Sequence, residues 1–353
     1  MVQHKEYLGH YLEEFGTFEK SFSKAEPDWF QDIRQSGIKQ FCEQGFPTAR
    51  RGNEPWKYTN ISPIAQTLFL PQFINLKDPI GFDSLIQEEL SGIQADTFVF
   101  VDGRYRSEFS YKGKLEQGPL VLTLHEALEK CPEIVRKHIG KYAENKENGF
   151  IALNSAFLND GILIFIPDNC ETEKPVNLVF VSSDSHPNVV NNLRVLVVTG
   201  ENSKLSYMES YVSLNTNSTL NNSVTEIFAG RNSEILHHRA IRENPEGFHI
   251  GMTRVWQDAC SYFQSISIGG GSALTRNDYH VFLGQPDSTC IVNGLHITDG
   301  RAHVDNHITV SHLEPRTTSR QNFRSILSGE SRAVFSGKIY VQRNAEKSDA
   351  QQS

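Results

Sequence analysis

Tyr7, Leu8, Tyr11, Leu12 and Phe15 recur at the spacing of one helix face, so the residues 1–46 open as helix. A second helical run begins at Asp28, behind Pro27, with Asp28 as its expected N-cap. Trp29, Phe30, Ile33, Ile38 and Phe41 form its broad apolar face, and Gly45 with Pro47 just beyond stops it. The stretch Phe82–Leu90 has the pattern of one more short helix. The texture then changes. Phe98–Val101, Asp102-Gly103 and Arg104-Tyr105 predict a hairpin with an Asp-Gly turn. Thr123–Tyr142 is helical again, interrupted at Pro132, and Asn148–Asn169 carries apolar strand material around Ile162–Ile166.

From about residue 176 onward no helical period returns. Short strands such as Leu205–Tyr211, Tyr262–Ile268 and His303–Val310 alternate with turn clusters such as Gly230-Arg-Asn-Ser and Gly269-Gly-Gly-Ser. Many strands alternate apolar and polar positions, which gives one wall to a core and one to solvent. That pattern fits a sandwich, barrel, propeller or β-solenoid. There is no Trp-Asp blade signature and no strict short repeat. Sandwich and solenoid stay level on texture alone.

Hydrophobic residues make up 38% of the 353-residue chain, below the ~45–50% of globular proteins, a range that also counts glycine. A narrow core suits that fraction. The 42 acidic against 34 basic residues leave a net charge of −8, so no broad nucleic-acid or anionic-membrane footprint is expected. No apolar run approaches the ~20 residues of a membrane span, and the N-terminus has no apolar signal region, so a cytoplasmic protein is expected. Cysteines stand at 42, 131, 170, 260 and 290, with no Cys-x-x-Cys among them. That spacing excludes a zinc ribbon or a sequence-local iron–sulfur cradle.

The most chemical-looking stretch is His303-Val-Asp305-Asn-His307. On a strand, His303, Asp305 and His307 share one face with Thr309, as weak candidates for a metal site or as a polar ladder. His312 falls on the opposite face. Adjacent His237 and His238 point to opposite sides, and Gly269–Ser272 lacks the lysine of a phosphate loop. Arg316, Arg320, Arg324 and Arg332 make a locally basic region, either a solvated face or a docking surface. Gly-x-Ser-x-Gly is absent, and no catalytic or cofactor-binding residue is indicated.

Several blocks, in order, resemble one known family. They are Glu54-Pro-Trp56-Lys-Tyr-Thr59, Phe100-Val-Asp102-Gly103, Phe150–Gly161, His303–His312, Thr318–Ile326, Ser331–Ile339 and Ala345–Gln351. Together they resemble the SufB/SufD iron–sulfur cluster assembly proteins, with the Trp-Lys-Tyr-Thr block most like SufD. The resemblance implies a mainly β protein: a right-handed parallel β-helix over 96–353, with a helical insertion at about 123–142, behind an N-terminal mostly helical domain over 1–95. At about 20–25 residues per coil this would give about seven to nine coils.

The resemblance also implies a non-catalytic scaffold working with SufB and the ABC-type ATPase SufC. No cofactor is expected in the isolated chain, and iron–sulfur clusters are expected only transiently, in complex with SufB. Two departures stand out. The family continues past the position of Ser353 into a Cys-x-His segment and SufC-docking helices, so either a truncated chain, the favoured reading, or a naturally shortened paralogue is expected, with SufC docking impaired. Many relatives carry cysteine where this chain has Thr317. Two other readings remain open: a β-helix enzyme acting on polysaccharide, and a homodimeric adaptor independent of SufB.

Overall fold

Strands that alternate inward and outward side chains can stack coil upon coil if each coil returns the chain to the same register. The computed structural model describes residues 2–21, 26–48, 53–71, 92, 94–111, 118–183, 187–214 and 216–353. The expected helix at Phe82–Leu90 lies outside the described residues. The helices are α1 (Val2–Ser21), α2 (Asp28–Gln44), α3 (Ser62–Gln66), α4 (Leu124–Lys130), α5 (Pro132–His138) and α6 (Gly149–Ala156). Short early strands are β1 (Leu70–Pro71), β2 (Asp96–Val101), β3 (Arg104–Tyr105), β4 (Leu120–Thr123), β5 (Ile162–Ile166) and β6 (Val176–Ser182). Longer ones follow: β7 (Val189–Thr199), β8 (Lys204–Ser213), β9 (Thr219–Ala229), β10 (Glu234–Arg242), β11 (Phe248–Gln257) and β12 (Tyr262–Gly270). The last are β13 (Leu274–Leu283), β14 (Thr289–Thr298), β15 (His303–His312), β16 (Thr318–Leu327), β17 (Arg332–Val341) and β18 (Asp349–Gln352).

Two nine-stranded sheets result. One runs β17-β15-β13-β11-β9-β7-β5-β4, with β1 also on β7; the other runs β18-β16-β14-β12-β10-β8-β6-β2-β3. Neighbours are parallel except at the β2–β3 and β4–β5 pairs. From β5 onward successive strands fall alternately in the two sheets, which makes a parallel β-solenoid of about six turns rather than a sandwich. The coils are longer and fewer than expected. Partners Glu234, Tyr262, Thr289, Thr318 and Asp349 are 28, 27, 29 and 31 residues apart, because each coil holds two strands of nine to eleven residues and two turns.

One corner of the coil repeats a left-handed residue: Asn169, Asn202, Asn232, Cys260, Asp287, Arg316 and Lys347, with φ between 54° and 63°. The first three form a side-chain ladder, Asn202 Nδ2 donating to Asn169 Oδ1 (3.0 Å) and Asn232 Nδ2 to Asn202 Oδ1 (2.7 Å). Asparagine tolerates that conformation better than cysteine. Cys260→Asn is therefore expected to raise stability by about 0.5–1 kcal/mol in urea unfolding. A drop of that size would contradict the corner assignment.

The lumen between the sheets is filled by inward side chains, among them Leu205, Tyr207, Ile235, Phe263, Tyr279, Cys290, Val292, Ile308 and Val310. The predicted Asp-Gly hairpin joins β2 to β3, with φ of 48° at Asp102 and 79° at Gly103. Helices cover the outer face of the first sheet. Tyr11, Phe41, Trp56 and Phe150 pack with Val190, Val224, Ile250 and Met252, and the pair α4–α5 packs over Leu163, Leu196 and Val198. The backbones of α2 and α6 touch at Gly37, where a Cβ would collide with Ala156 N and Ala152 O.

Buried Glu226 fastens the turn after α5. It accepts from the amides of Gly140 (2.8 Å), Tyr142 (2.9 Å) and Ala143 (3.1 Å) and pairs with Arg194 (2.6 Å).

Two local expectations change. Pro27, not Asp28, occupies the cap position of α2, and Asp28 is the first helical residue. Residues 149–156 are helix rather than strand material. Every residue of α6 is buried, so no amphipathic period marks it, and the one local signal is Asn148, whose Oδ1 accepts from Phe150 and Ile151 amides. Among the described residues no helix is long and apolar enough to cross a membrane.

Candidate functional site

On β15 the alternation places Val304, Ile308 and Val310 in the lumen side of the sheet and His303, Asp305 and His307 on its outer face. In register beside Asp305 lies Arg276, and beside His307 lies Asp278. Arg276 pairs with Asp305 and, through Nη2, with Asp278 Oδ2 (3.0 Å). Arg254, on the next strand, reaches Asp278 Oδ1 (3.0 Å) and Glu147 (2.8 Å). His307 Nδ1 stands 3.6 Å from Asp278.

The Glu54–Thr59 segment lies on this lattice. The Trp56 ring covers the Arg276 guanidinium at 3.9 Å, and Thr59 Oγ1 donates to Asp305 and accepts from Arg276 Nη1 (3.1 Å). The structure thus brings Asp305 and His307 into one charged array, but with arginines between the acids. The Asp305 carboxylate is held by Arg276 and Thr59, while His303 Nε2 is buried without a hydrogen-bond partner. Among the described residues no group of three His, Cys, Asp or Glu side chains could hold a metal ion. What the array can do is lock the N-terminal segment onto the first sheet.

Acid should weaken this protein over two ranges. Burial, with Lys137 adding to it for His138 and Arg254 for His280, lowers both imidazoles to about 4. Unfolded histidine titrates near ~6.5, so the unfolded chain gains these protons first and stability falls as the pH drops from about 6.5 to about 4. Burial would raise Asp278, but Arg254 and Arg276 outweigh it and hold the carboxyl at about 2. Its contribution is complete above the unfolded carboxylate range, near ~4, and is lost as the pH falls toward 2. Melting temperatures between pH 8 and 3 should show both ranges, with His280→Gln flattening the upper one. A melting temperature unchanged from pH 7 to 5 would contradict the assignment.

A second polar cluster lies inside the lumen, and the sequence reading did not find it. Glu209 of β8 stacks in register on Arg239 of β10. Arg239 Nη2 donates to Glu209 Oε2 (2.8 Å) and to Thr253 Oγ1 (3.0 Å); Tyr211 (2.8 Å) and Thr225 (2.9 Å) also donate to the carboxylate. His237 approaches Glu209 at 3.5 Å and stacks on Tyr207 at 4.7 Å. Burial would raise Glu209, but Arg239 first and then His237 hold it well below the usual carboxylate range. Burial itself lowers His237. The available signal was phase: Glu209 shares the parity of Leu205 and Tyr207, so alternation points it inward.

Farther along, Glu243 accepts from Asn221 Nδ2 (2.7 Å) and faces His249 Nδ1 (3.0 Å). His237 is buried and His238 exposed, on opposite sides of β10.

Burial sets three of the thiols poorly for chemistry. All five cysteines are free, and burial pushes Cys290 up to about 12 and also raises Cys42 and Cys131. Thr317 is buried, bonded to His312 Nδ1 (2.7 Å) and Ser348 (3.0 Å), while His312 Nε2 meets Ser319 (2.9 Å). In the basic region, Arg316 pairs with Asp287 (2.7 Å) and Arg320 with Asp349 (2.6 Å).

At the far end of the column β17 pairs with β15 and β18 with β16, each on one side only among the described residues. Phe335 and Val341, in register with the inward residues Asn306 and His312, are 37% and 52% exposed there.

Two family models match in order along the chain. One, described as the SufBD protein N-terminal region, matches residues 2–178; the other, described as SUF system FeS cluster assembly, SufBD core domain, matches residues 180–353. An iron–sulfur cluster assembly SufBD family protein of Synechocystis sp. is 27% identical over 313 residues, covering 85% of this chain and 67% of the relative. The iron–sulfur cluster assembly protein SufD of Escherichia coli is 24% identical, over 90% of this chain and 71% of its own length. SufB of Bacillus subtilis is 23% identical, over 93% and 71%. The chain therefore spans about two-thirds of the length of these relatives, at 67–71%.

Proposed function

Because the chain belongs to the SufBD family of iron–sulfur cluster assembly proteins, we propose that it is a SufD-like, non-catalytic scaffold subunit in the cytoplasm. In this reading it pairs with SufB and works beside the ATPase SufC. Iron–sulfur clusters are cargo of the assembly, formed in contact with SufB, and the isolated chain holds none. The buried Cys290 thiol and the arginine-occupied Asp305 carboxylate fit that division of labour.

The observation that carries the reading is the ordered match of the two SufBD family models along the chain, and within it β17 and β18 are the strands taken to meet the partner. A column packed with apolar side chains can present them in fixed register, and strand addition across them would join two solenoids end to end. The amides of Arg332 and Gln342 bond back toward Ala302 and His312, so alternation directs the amide of Ile339 outward, toward the open edge.

Ile339→Pro removes that outward donor without breaking the ladder to β15. Co-expressed with SufB and SufC, the chain is expected to elute with SufB, and Ile339→Pro to weaken the complex by about tenfold or more at an unchanged melting temperature. Failure to associate, or equal association by the variant, would overturn the edge-pairing account. Iron–sulfur absorbance that persists in the chain alone through gel filtration would overturn the cargo assignment.

A further inference from the structure

The two sheets differ in what covers them. The first lies under helices; the second is covered at its β2–β6 end, where the outward Val99, Val101, Val179 and Val181 are buried, and keeps its outer face open over β10 to β16 among the described residues. On that face the outward positions of β10, β12, β14 and β16, from the row of Leu236 to the row of Arg242, contain no aspartate or glutamate. At the centre Ile268 lies beside Leu295, and Ile297 beside Ile326; they are 51%, 36%, 58% and 59% exposed. Arg324 continues the Ile268–Leu295 row, and Arg242 stands at the opposite border, beside Gly270. Both arginines are exposed, and Arg324 donates to the Phe323 carbonyl at 2.9 Å.

A contiguous apolar patch with Arg242 and Arg324 on its borders, and Glu246 and Asp299 beyond Ile297, stands out on a chain whose net charge is −8. Scattered single apolar residues need no explanation; aligned ones on three neighbouring strands do. We propose that this face docks an acidic amphipathic helix of a partner protein.

Charge decides the class of partner. The overall negative charge repels nucleic acid and anionic lipid at long range, while the local arginines attract carboxylates at contact distance. The patch also lacks the aromatic platform on which bases stack. Shape favours a helix. The outer face of the first sheet already takes helices over Val190, Val224, Ile250 and Met252, so a sheet of this solenoid accommodates a helical stripe of leucine-sized side chains. The partner helix would set apolar residues at i, i+3, i+4 and i+7 on the isoleucines, and glutamates or aspartates on its flank toward Arg324. This proposal uses a different face from the β17–β18 edge and does not depend on the assembly reading.

The test uses the 353-residue chain and two labelled synthetic helices. Both carry leucine on one face; one carries glutamate and the other lysine on the opposite face. Fluorescence anisotropy is expected to show micromolar binding of the glutamate helix and at least tenfold weaker binding of the lysine helix. Ile297→Ser should weaken the glutamate helix at least tenfold, and Arg324→Glu should shift preference toward the lysine helix. Both residues are exposed, so circular dichroism and melting temperature should not change. No binding, equal binding of both helices, or indifference to Ile297→Ser would overturn the proposal. So would sedimentation showing a dimer that Ile297→Ser dissolves, since a second copy would then occupy the face.

Discussion

Arg239→Met is expected to remove about 3–5 kcal/mol of stability, because it leaves the Glu209 carboxylate uncompensated inside the lumen. The pair is fully buried, and the same carboxylate also gathers Tyr211, Thr225 and His237. Methionine fills comparable volume, so the loss reports charge rather than a cavity. Glu209 would then take up a proton well above its present range, and unfolding of the variant would become steeply pH-dependent near neutrality. The double variant Glu209→Leu with Arg239→Met should recover most of the loss, since an ion pair replaced by apolar groups of similar size is often neutral. Urea unfolding of the three proteins at pH 7 checks this. A single-variant loss below about 1 kcal/mol would show that water reaches the pair.

Trp56→Ala should cost about 3–5 kcal/mol as well, by a different route. The indole is 4% exposed, stacks on Phe150 at 5.5 Å between centroids and roofs Arg276. Its removal opens a cavity and admits water to the Arg276–Asp305 pair, which screens that pair and loosens the hold of Thr59. The N-terminal segment should therefore become sensitive to trypsin at Lys57 before the solenoid unfolds. Thr59→Val should show the same sensitivity in milder form. Cleavage at Lys57 no faster in Trp56→Ala than in the parent chain would place the anchor elsewhere.

These two sites were legible to different degrees. The Glu54–Thr59 block was conspicuous as a motif, and His303–His312 as a polar ladder. That the first sits on the second, 246 residues apart at Thr59 and Asp305, has no local signature. The lumenal cluster was concealed by the same alternation that revealed the strands: a charged residue in an apolar phase reads as an irregularity until its partner is known. The helix α6 escaped for a related reason, since burial on all sides erases periodicity. The repeating left-handed corner was hidden because Cys260, Arg316 and Lys347 replace the asparagine that would have announced it.

By itself the sequence determined that strands alternate between two faces, which residues share each face of β15, the Asp-Gly hairpin, the long helices before residue 46 and, through ordered motifs, the family. Those properties follow from period, turn chemistry and composition, which act over a few residues. Only the tertiary structure decided that strands pair in parallel across coils of about 27–31 residues, and with that which distant side chains meet. Register between coils is a sum of many small hydrogen-bond and packing terms along whole strands. It brings Glu209 onto Arg239, and Ile268 onto Leu295, although nothing next to either residue along the chain marks its partner.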